Sequence, residues 1–401
     1  MQQVSRAERV SRRERRIRDK RESIDGGFDY SLLLIVLCVL GFGMLMIYSA
    51  SSYSAQIKND DSAYFLKRQA INVCVGAIAM LIACKFNYKY FIKPLTFLRI
   101  RLVTLLYWVA VGFQVAVLLQ GGGLNGANRW LKLGPISFQP SEFTKLMIIL
   151  LVAYYICEIP NSFSETKKML RIFLTISIPL GLVAAEDLSS AIVIFITAFL
   201  MCFIAARRKL PYCALFGAGV FAAYLYIFHI GSSFRMDRIE IWKNPEAHPK
   251  GAQIVHGLYA IASGGVFGSG LGESMQKLGF LPEPYNDMIF SVICEELGLV
   301  GAGIVILMFI LMCWRIYTVA MRAPDLFSSL ICVGVMVHIA SQALINIAVV
   351  TNTIPSTGIP LPFISYGGSS VIFLMAEIGV VLGISSRTGL ADERIRRGGA
   401  R

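Results

Sequence analysis

Asp287 stands where a long polar stretch meets a long apolar run, in "PEPYNDMIFSVI". A carboxylate there can take a proton from a hydroxyl, or it can cap the helix that the apolar run predicts. Aspartate is a favoured N-cap, so residue type alone puts capping ahead of catalysis. Glu283 lies four residues earlier, but Pro284 argues against an unbroken helix showing both groups on one face. The two are therefore not read as a carboxylate pair of the glycosidase kind. Upstream, Arg235 and Arg238 are spaced i, i+3, which can present two cations to one phosphate-bearing ligand. Between them and Asp287, "GGVFGSGLG" supplies Gly264, Gly265, Gly268, Gly270 and Gly272, allowing a tight backbone path and close ligand approach. As a dinucleotide fingerprint it fails because no strand precedes it, and no P-loop occurs anywhere in the sequence.

Other ionisable groups fall inside apolar runs, where they are functional or paired by default. Glu142 and Lys145, in "QPSEFTKL", share one helical face at i, i+3, and an internal ion pair is the favoured reading. Glu295 and Glu296 lie roughly 12 Å deeper than Asp287 if the run is helical, and point away from it by helical phase. They read as parts of a buried polar network. Near the end of the chain, "IPSTGIPLPFISYGGSS" (354–370) packs three prolines and three glycines between two apolar runs. It can be neither helix nor strand. Non-helical backbone near a membrane survives only when protein buries it or when it lines a watery cavity. The segment is therefore expected to wall the outer mouth of such a cavity, or to be a purely scaffolding re-entrant loop.

These groups need a scaffold, and composition says what kind. The chain has 401 residues, 56% hydrophobic and 16% charged, with a mean hydropathy of +0.63. Soluble domains hold about 25% charged residues. The apolar runs suit a hydrocarbon core that takes roughly 20 helical residues to cross, and they lack the ten-residue alternation of a barrel. The expected fold is an all-α polytopic membrane protein with about ten transmembrane helices. Spans are predicted near 29–50, 70–87, 101–120, 142–158, 170–186, 188–206, 210–230, 287–314, 325–352 and 367–386. The organisation is a basic tail (1–28), one membrane domain (29–387) and a C-terminal tail (388–401). Most of the 38 Lys and Arg residues fall on the side of the N-tail, so both termini are expected in the cytoplasm. That places 121–141, the long loop 231–286 between spans 7 and 8, and 354–370 outside.

The net charge of +13 does not indicate nucleic acid, because the basic N-tail beside a first span is the usual cytoplasmic signal and touches anionic lipid. The nine cysteines form no CxxC pair and read as small buried hydrophobes. The four histidines are scattered, with no HExxH, so a metal cage built by protein alone is not expected. The outer face thus offers a carboxylate at a helix mouth, several cations and ordered Gly/Pro loops. This suits transfer from an anionic, lipid-tethered donor that brings its own energy.

Four segments resemble the SEDS family, the shape, elongation, division and sporulation proteins of bacteria. They are "NGANRWLKLGPISFQPSEFTKL" (125–146), "AEDLSSAIVIF" (185–195), "GSGLGESMQKLGFLPEPYNDMIFSVICEELGLVG" (268–301) and "NIAVVTNTIPSTGIPLPFISYGGSS" (346–370). The resemblance covers about residues 29 to 387, and the last two segments look closer to the division and sporulation branches than to the elongation branch. Two departures stand out: the family's "LPExHTDFIF" has Tyr285 and Asn286 here in place of its histidine and threonine, and its "PDLG" reads "EDLS".

The resemblance implies a peptidoglycan glycosyltransferase that polymerises lipid II, with Asp287 as the essential carboxylate, and so reverses the preference for capping. It implies a divalent cation (magnesium or manganese), on Asp287 or on phosphate, and no nucleotide. The substrate-binding candidates are Arg235, Arg238, Arg129, Lys145, Lys277, Gln253, Glu283, Ser365 and Tyr366. Implied partners are the growing glycan strand, a class B penicillin-binding protein transpeptidase whose span packs near spans eight and nine, other division-complex proteins and membrane lipid. The implied location is the bacterial plasma membrane at the division septum. Two alternatives share the ligand or the partner: a lipid II flippase with a path lined by Glu142, Lys145, Glu295 and Glu296, and a scaffold for the transpeptidase.

Overall fold

The computed structural model describes residues 28–94, 100–120, 129–133, 136–159, 165–225, 233–248 and 251–398. Apolar sequence folds into helices here because a membrane interior offers no water to backbone groups, and a helix satisfies them within itself. The helices are α1 (Tyr30–Asn59), α2 (Tyr64–Lys85), α3 (Leu102–Gln120), α4 (Pro140–Glu158), α5 (Glu165–Glu186) and α6 (Leu188–Ala205). They continue as α7 (Leu210–Leu225), α8 (Ser233–Lys243), α9 (Ala252–Ser263), α10 (Ile289–Arg322), α11 (Leu326–Val350) and α12 (Gly368–Gly398). Among the described residues nine are long and apolar enough to cross a membrane. The expected seventh span corresponds to α7, whose continuation through 226–230 lies outside the described residues, as does most of the N-terminal tail.

Two features depart from the expected pattern. The segment 121–141 carries a small antiparallel hairpin, β1 (Leu131–Leu133) paired with β2 (Ile136–Phe138), so the fold is not helical throughout. The loop 231–286 holds two real helices, α8 and α9, together with a 3₁₀ turn at Pro245–Ala247.

Packing sorts the helices into a core and a lipid-facing rim. α4, α11 and the spanning part of α12 are the most enclosed. α11 packs on α10, α6 and α4, while α2 and α12 make the most extensive pairing in the molecule. Leu34 and Leu37 on α1 and Ile71, Ile78 and Ile82 on α2 stand exposed, as residues facing lipid should. The cysteines divide the same way: Cys202, Cys294 and Cys332 are buried, whereas Cys38, Cys74, Cys157 and Cys213 are exposed, and none is bonded to another.

Among the described residues, three buried carboxylates meet a basic side chain, which offsets the cost of burying them. Lys145 Nζ lies 2.7 Å from Glu142 Oε1, Lys277 Nζ lies 2.7 Å from Glu296 Oε1, and His338 Nδ1 lies 2.8 Å from Glu377 Oε2. α10 is broken at Gly298, where φ is 66° and ψ is −165°. The glycine loop after α9 fills the gap. Ser269 and Gly270 N–H donate to the carbonyls of Glu295 and Glu296, and Leu299 and Val300 N–H donate to those of Gly265 and Val266. The glycines read from the sequence as a ligand-approach loop are therefore where one backbone lies against another. A Cβ on Gly268 would stand 2.2 Å from the Glu296 carbonyl oxygen.

Candidate active site

Asp287 lies two residues before α10, and Met288, not Asp287, occupies the N-cap position; it makes no side-chain cap bond. Capping, the first reading from residue type, is thus not what the side chain does. Its Oδ1 instead accepts a hydrogen bond from Gln253 Nε2 of α9 at 3.2 Å. Its main-chain carbonyl accepts one from Asn346 Nδ2 of α11 at 2.8 Å. The same amide group of Asn346 donates to the Ile359 carbonyl at 2.8 Å, joining the Asp287 segment to the proline-rich loop.

That loop forms the facing wall. Its backbone is not helical between residues 353 and 367. Ile359, Leu361, Phe363 and Ile364 are buried, which fixes it against the bundle. Gly358 has φ +71°, a left-handed conformation that glycine adopts without steric cost. A Cβ there would stand 3.8 Å from Asp287 Oδ2. Side chains from other elements hold the loop's carbonyls: Trp242 Nε1 donates to Asn352 O at 3.0 Å, Arg238 Nη1 to Ser356 O at 3.1 Å, and Ser189 Oγ to Thr357 O at 2.8 Å. The loop is thus tied at three carbonyls to the elements around it. Ser365 serves as its internal fastener, with a buried hydroxyl accepting from Leu361 N–H at 2.8 Å.

Tyr366 N–H donates to the Tyr285 carbonyl at 2.9 Å. The two rings and Phe65 of α2 form an aromatic cluster, with Phe65 and Tyr285 centroids 4.2 Å apart. Burial pushes the Tyr285 phenol up to about 12, so this residue is neutral at ordinary pH. Tyr285 fills the position of the family's histidine with an apolar ring rather than a titrating one.

The electrostatics of Asp287 follow from its surroundings. Burial raises its carboxyl from 3.8 to about 6; its own amide lowers it, the charge on Glu283 raises it, and Arg238 and the Gln253 bond lower it. Glu283 is exposed with φ 44°, and accepts from Asn286 Nδ2 at 3.2 Å. A carboxylate held near 6 in a partly open recess is a stronger base than an ordinary aspartate, yet is still ionised at neutral pH.

The other candidates separate. Arg238 belongs to the Asp287 neighbourhood by its charge and by its hold on the wall. Arg129 Nη1 stands 3.8 Å from Asp187 Oδ2, the N-cap of α6 in "EDLS". The backbone of Arg235 lies in α8, and its side chain is outside the described part of the structure. Lys145 and Lys277 were expected to face substrate; their side chains, 3% and 5% exposed, are turned to Glu142 and Glu296 instead. Moving either would leave a buried carboxylate without its counter-charge. Glu295 is equally engaged, accepting from Ser274 Oγ and from Met275 N–H at 2.9 Å. The residues proposed to line a transport path thus point at internal partners.

Sequence reasoning missed Asn346. The signal was available: a polar residue inside an apolar span, at i+4 steps from Gln342 and His338.

The family model described as cell cycle protein, spanning FtsW, RodA and SpoVE, matches residues 30–389. The chain belongs to this family. Among FtsW/RodA/SpoVE relatives, the probable peptidoglycan glycosyltransferase FtsW of Trichlorobacter lovleyi is 37% identical over 372 residues, covering 91% of this chain and 94% of its own. Stage V sporulation protein E of Bacillus subtilis is 36% identical over 365 residues, covering 89% and 96%. Of solved structures, a chain from a peptidoglycan synthase complex studied for the coordination of polymerization and crosslinking aligns with a TM-score of 0.71. It has 25% identity and covers 89% of this chain and 97% of that one. Thermus thermophilus RodA, at 24% identity and a TM-score of 0.66, covers 89% and 96% and shares the fold. FtsW/RodA/SpoVE membership and the nine apolar helices make this a multi-pass membrane protein.

Proposed function

We propose that the chain is a peptidoglycan glycosyltransferase that polymerises lipid II at the outer face of the bacterial plasma membrane. Asp287 acts as general base on the 4-hydroxyl of the acceptor's terminal N-acetylglucosamine. The oxygen attacks the anomeric carbon of the donor's N-acetylmuramic acid, undecaprenyl pyrophosphate leaves, and inversion gives a β-1,4 link. The observation that carries this reading is the Asp287 recess: a carboxylate raised to about 6, held by Gln253 and Asn346, and faced by a fixed wall. A positioned base of this kind contributes about 10²–10⁴-fold in rate.

Arg238 is the cation best placed for the departing diphosphate, with Arg235 and Arg129 in support; the charge that develops there needs fixed positive partners. Glu283 and Tyr366 are further candidate substrate contacts. Among the described residues no group of three or more His, Cys, Asp or Glu could hold a metal ion. The hard carboxylate oxygens of Asp287 nonetheless suit magnesium or manganese shared with the diphosphate of the donor, where the ion would offset leaving-group charge. Both termini lie in the cytoplasm, and a class B penicillin-binding protein transpeptidase is the working partner. Relatives named for FtsW and for stage V sporulation support service in division or sporulation at a septum.

The test is polymerisation of purified lipid II with the cognate transpeptidase and divalent metal, comparing wild type with Asp287→Asn. Long glycan chains from the wild type, and none from a variant that still binds its partner, support the proposal. Equal chain synthesis by both removes Asp287 from the chemistry. Synthesis by neither, with lipid II translocation in liposomes, would move the reading to a flippase.

A further inference from the structure

The return loop from α9 to Asp287 has its polarity reversed for a segment in water. Its apolar side chains face outward: Phe267 is 82% exposed and Met275 62%, and Val266, Leu271, Leu278 and Phe280 are exposed beside them. Its polar groups face inward: Lys277 is 5% exposed and Ser274 1%, and both are bound to glutamates of α10 that are themselves buried. Glu273 is the one charged side chain between 264 and 280 that is exposed.

Three further observations say what covers the apolar side. First, Leu299 and Val300 N–H pair with the carbonyls of Gly265 and Val266, which fixes the loop at the depth of the Gly298 break. Second, α10 beyond that break, running to Arg322, is about 36 Å long at about 1.5 Å per residue. It crosses a core of about 30 Å unaided, so the break lies at the outer edge of the hydrocarbon. Third, Leu299, Val300 and Ile304 of α10 are exposed, and the first two are bonded to the loop at Gly265 and Val266, so the apolar loop continues an exposed apolar row of α10. Backbone groups of Gly265, Val266, Ser269 and Gly270 are satisfied by α10, as backbone at a lipid boundary must be.

From this placement we infer that residues 264–280 are immersed in the outer leaflet, with Phe267 and Met275 among the acyl chains and Glu273 at headgroup level. The occupant of the apolar face is lipid, held as on an interfacial amphipathic element about 5–10 Å into the headgroup–acyl boundary.

The test uses the full chain in nanodiscs of phosphatidylethanolamine and phosphatidylglycerol, with and without the cognate transpeptidase. Phe267→Trp and Met275→Trp each add one fluorophore above the wild-type background, and Glu246→Trp, in the exposed turn, is the aqueous control. About half of the added emission at 267 and 275 should be lost to lipids carrying a shallow acyl spin label, with little effect of acrylamide, and the reverse at 246. On the unsubstituted chain, a photoactivatable lipid should label 264–280. Quenching by acrylamide but not by lipid at 267 and 275, or no photolabel in 264–280, would overturn the inference. Lipid quenching that disappears when the transpeptidase binds would also overturn it, because a polypeptide would then be the occupant.

Discussion

Asn346 donates one hydrogen bond to the main-chain oxygen of Asp287 and a second, from the same amide, to that of Ile359, both 2.8 Å long. A single buried side chain thus ties the Asp287 segment to the proline-rich loop opposite it. Asn346→Ala should leave both carbonyls without that donor, at a cost of about 1–3 kcal/mol each where no water can enter. More tellingly, polymerisation should fall about 10²-fold through kcat while lipid II binding is retained, since a small misplacement of a catalytic group costs that much. Steady-state kinetics alongside a lipid II binding assay would check it; loss of binding with kcat intact would mean that Asn346 does not set the geometry.

The pH dependence follows from the raised carboxyl of Asp287. As the proposed base, Asp287 must be ionised, so the rate should fall as pH drops through about 6, well above the 3.8 of an ordinary aspartate. Arg238 lowers this value, so Arg238→Gln should move the acidic limb upward. Stability has the opposite sense. Folding favours the protonated form, and that contribution is complete below about pH 4 and lost as pH rises through about 6. Asp287→Asn should therefore be as stable as wild type in acid and more stable at pH 7.5, by on the order of 1–3 kcal/mol. Thermal unfolding at the two pH values reads this directly; a variant less stable at pH 7.5 would contradict it.

Lys277 and Glu296 form a buried ion pair with Ser49 Oγ within 3.0 Å of the ammonium. Removing one charge strands the other, so Lys277→Met should destabilise by about 3–5 kcal/mol. Adding Glu296→Gln should recover much of that loss, and the folded fraction should keep its KM for lipid II. If Lys277→Met instead raised KM without lowering the unfolding temperature, the lysine would be a substrate ligand after all.

Much of this architecture was legible from the sequence because the membrane imposes one dominant rule. The predicted span 188–206 corresponds to Leu188–Ala205, and 325–352 to Leu326–Val350, since Asp187 and Asp325 mark the starts as N-caps. The flanking motif singled out Asp287, whereas residue type alone pointed to a cap, and the structure places Met288 rather than Asp287 at the N-cap. Other features depend on partners far away in sequence. Lys277 meets Glu296 and Ser49, and Asn346 meets the Asp287 carbonyl 59 positions earlier. No local periodicity encodes such contacts. The β1–β2 hairpin was hidden because its strands are three residues each, too short for an alternating pattern to register.

The break in α10 gives the most severe expected lesion. Gly298 combines φ +66° with contact on both sides: a Cβ there would lie 2.4 Å from Gly268 N and 2.4 Å from Val266 O. Those are backbone atoms, so no side-chain rotation can relieve the overlap. Gly298→Ala should therefore add conformational strain of about 1–3 kcal/mol, and force apart the four hydrogen bonds that seat the 264–270 loop on α10. Glu295 and Glu296, which hold Ser274 and Lys277 from the turn just before the break, would shift with it. The expected outcome is a lower unfolding temperature together with faster amide exchange at 265–270 and 299–300, spreading to Asp287. Alanine at Gly303, where a Cβ meets nothing within 4 Å, is the matched control and should leave both readouts unchanged. Exchange that is unaltered in Gly298→Ala would show that the loop is seated by its side chains alone.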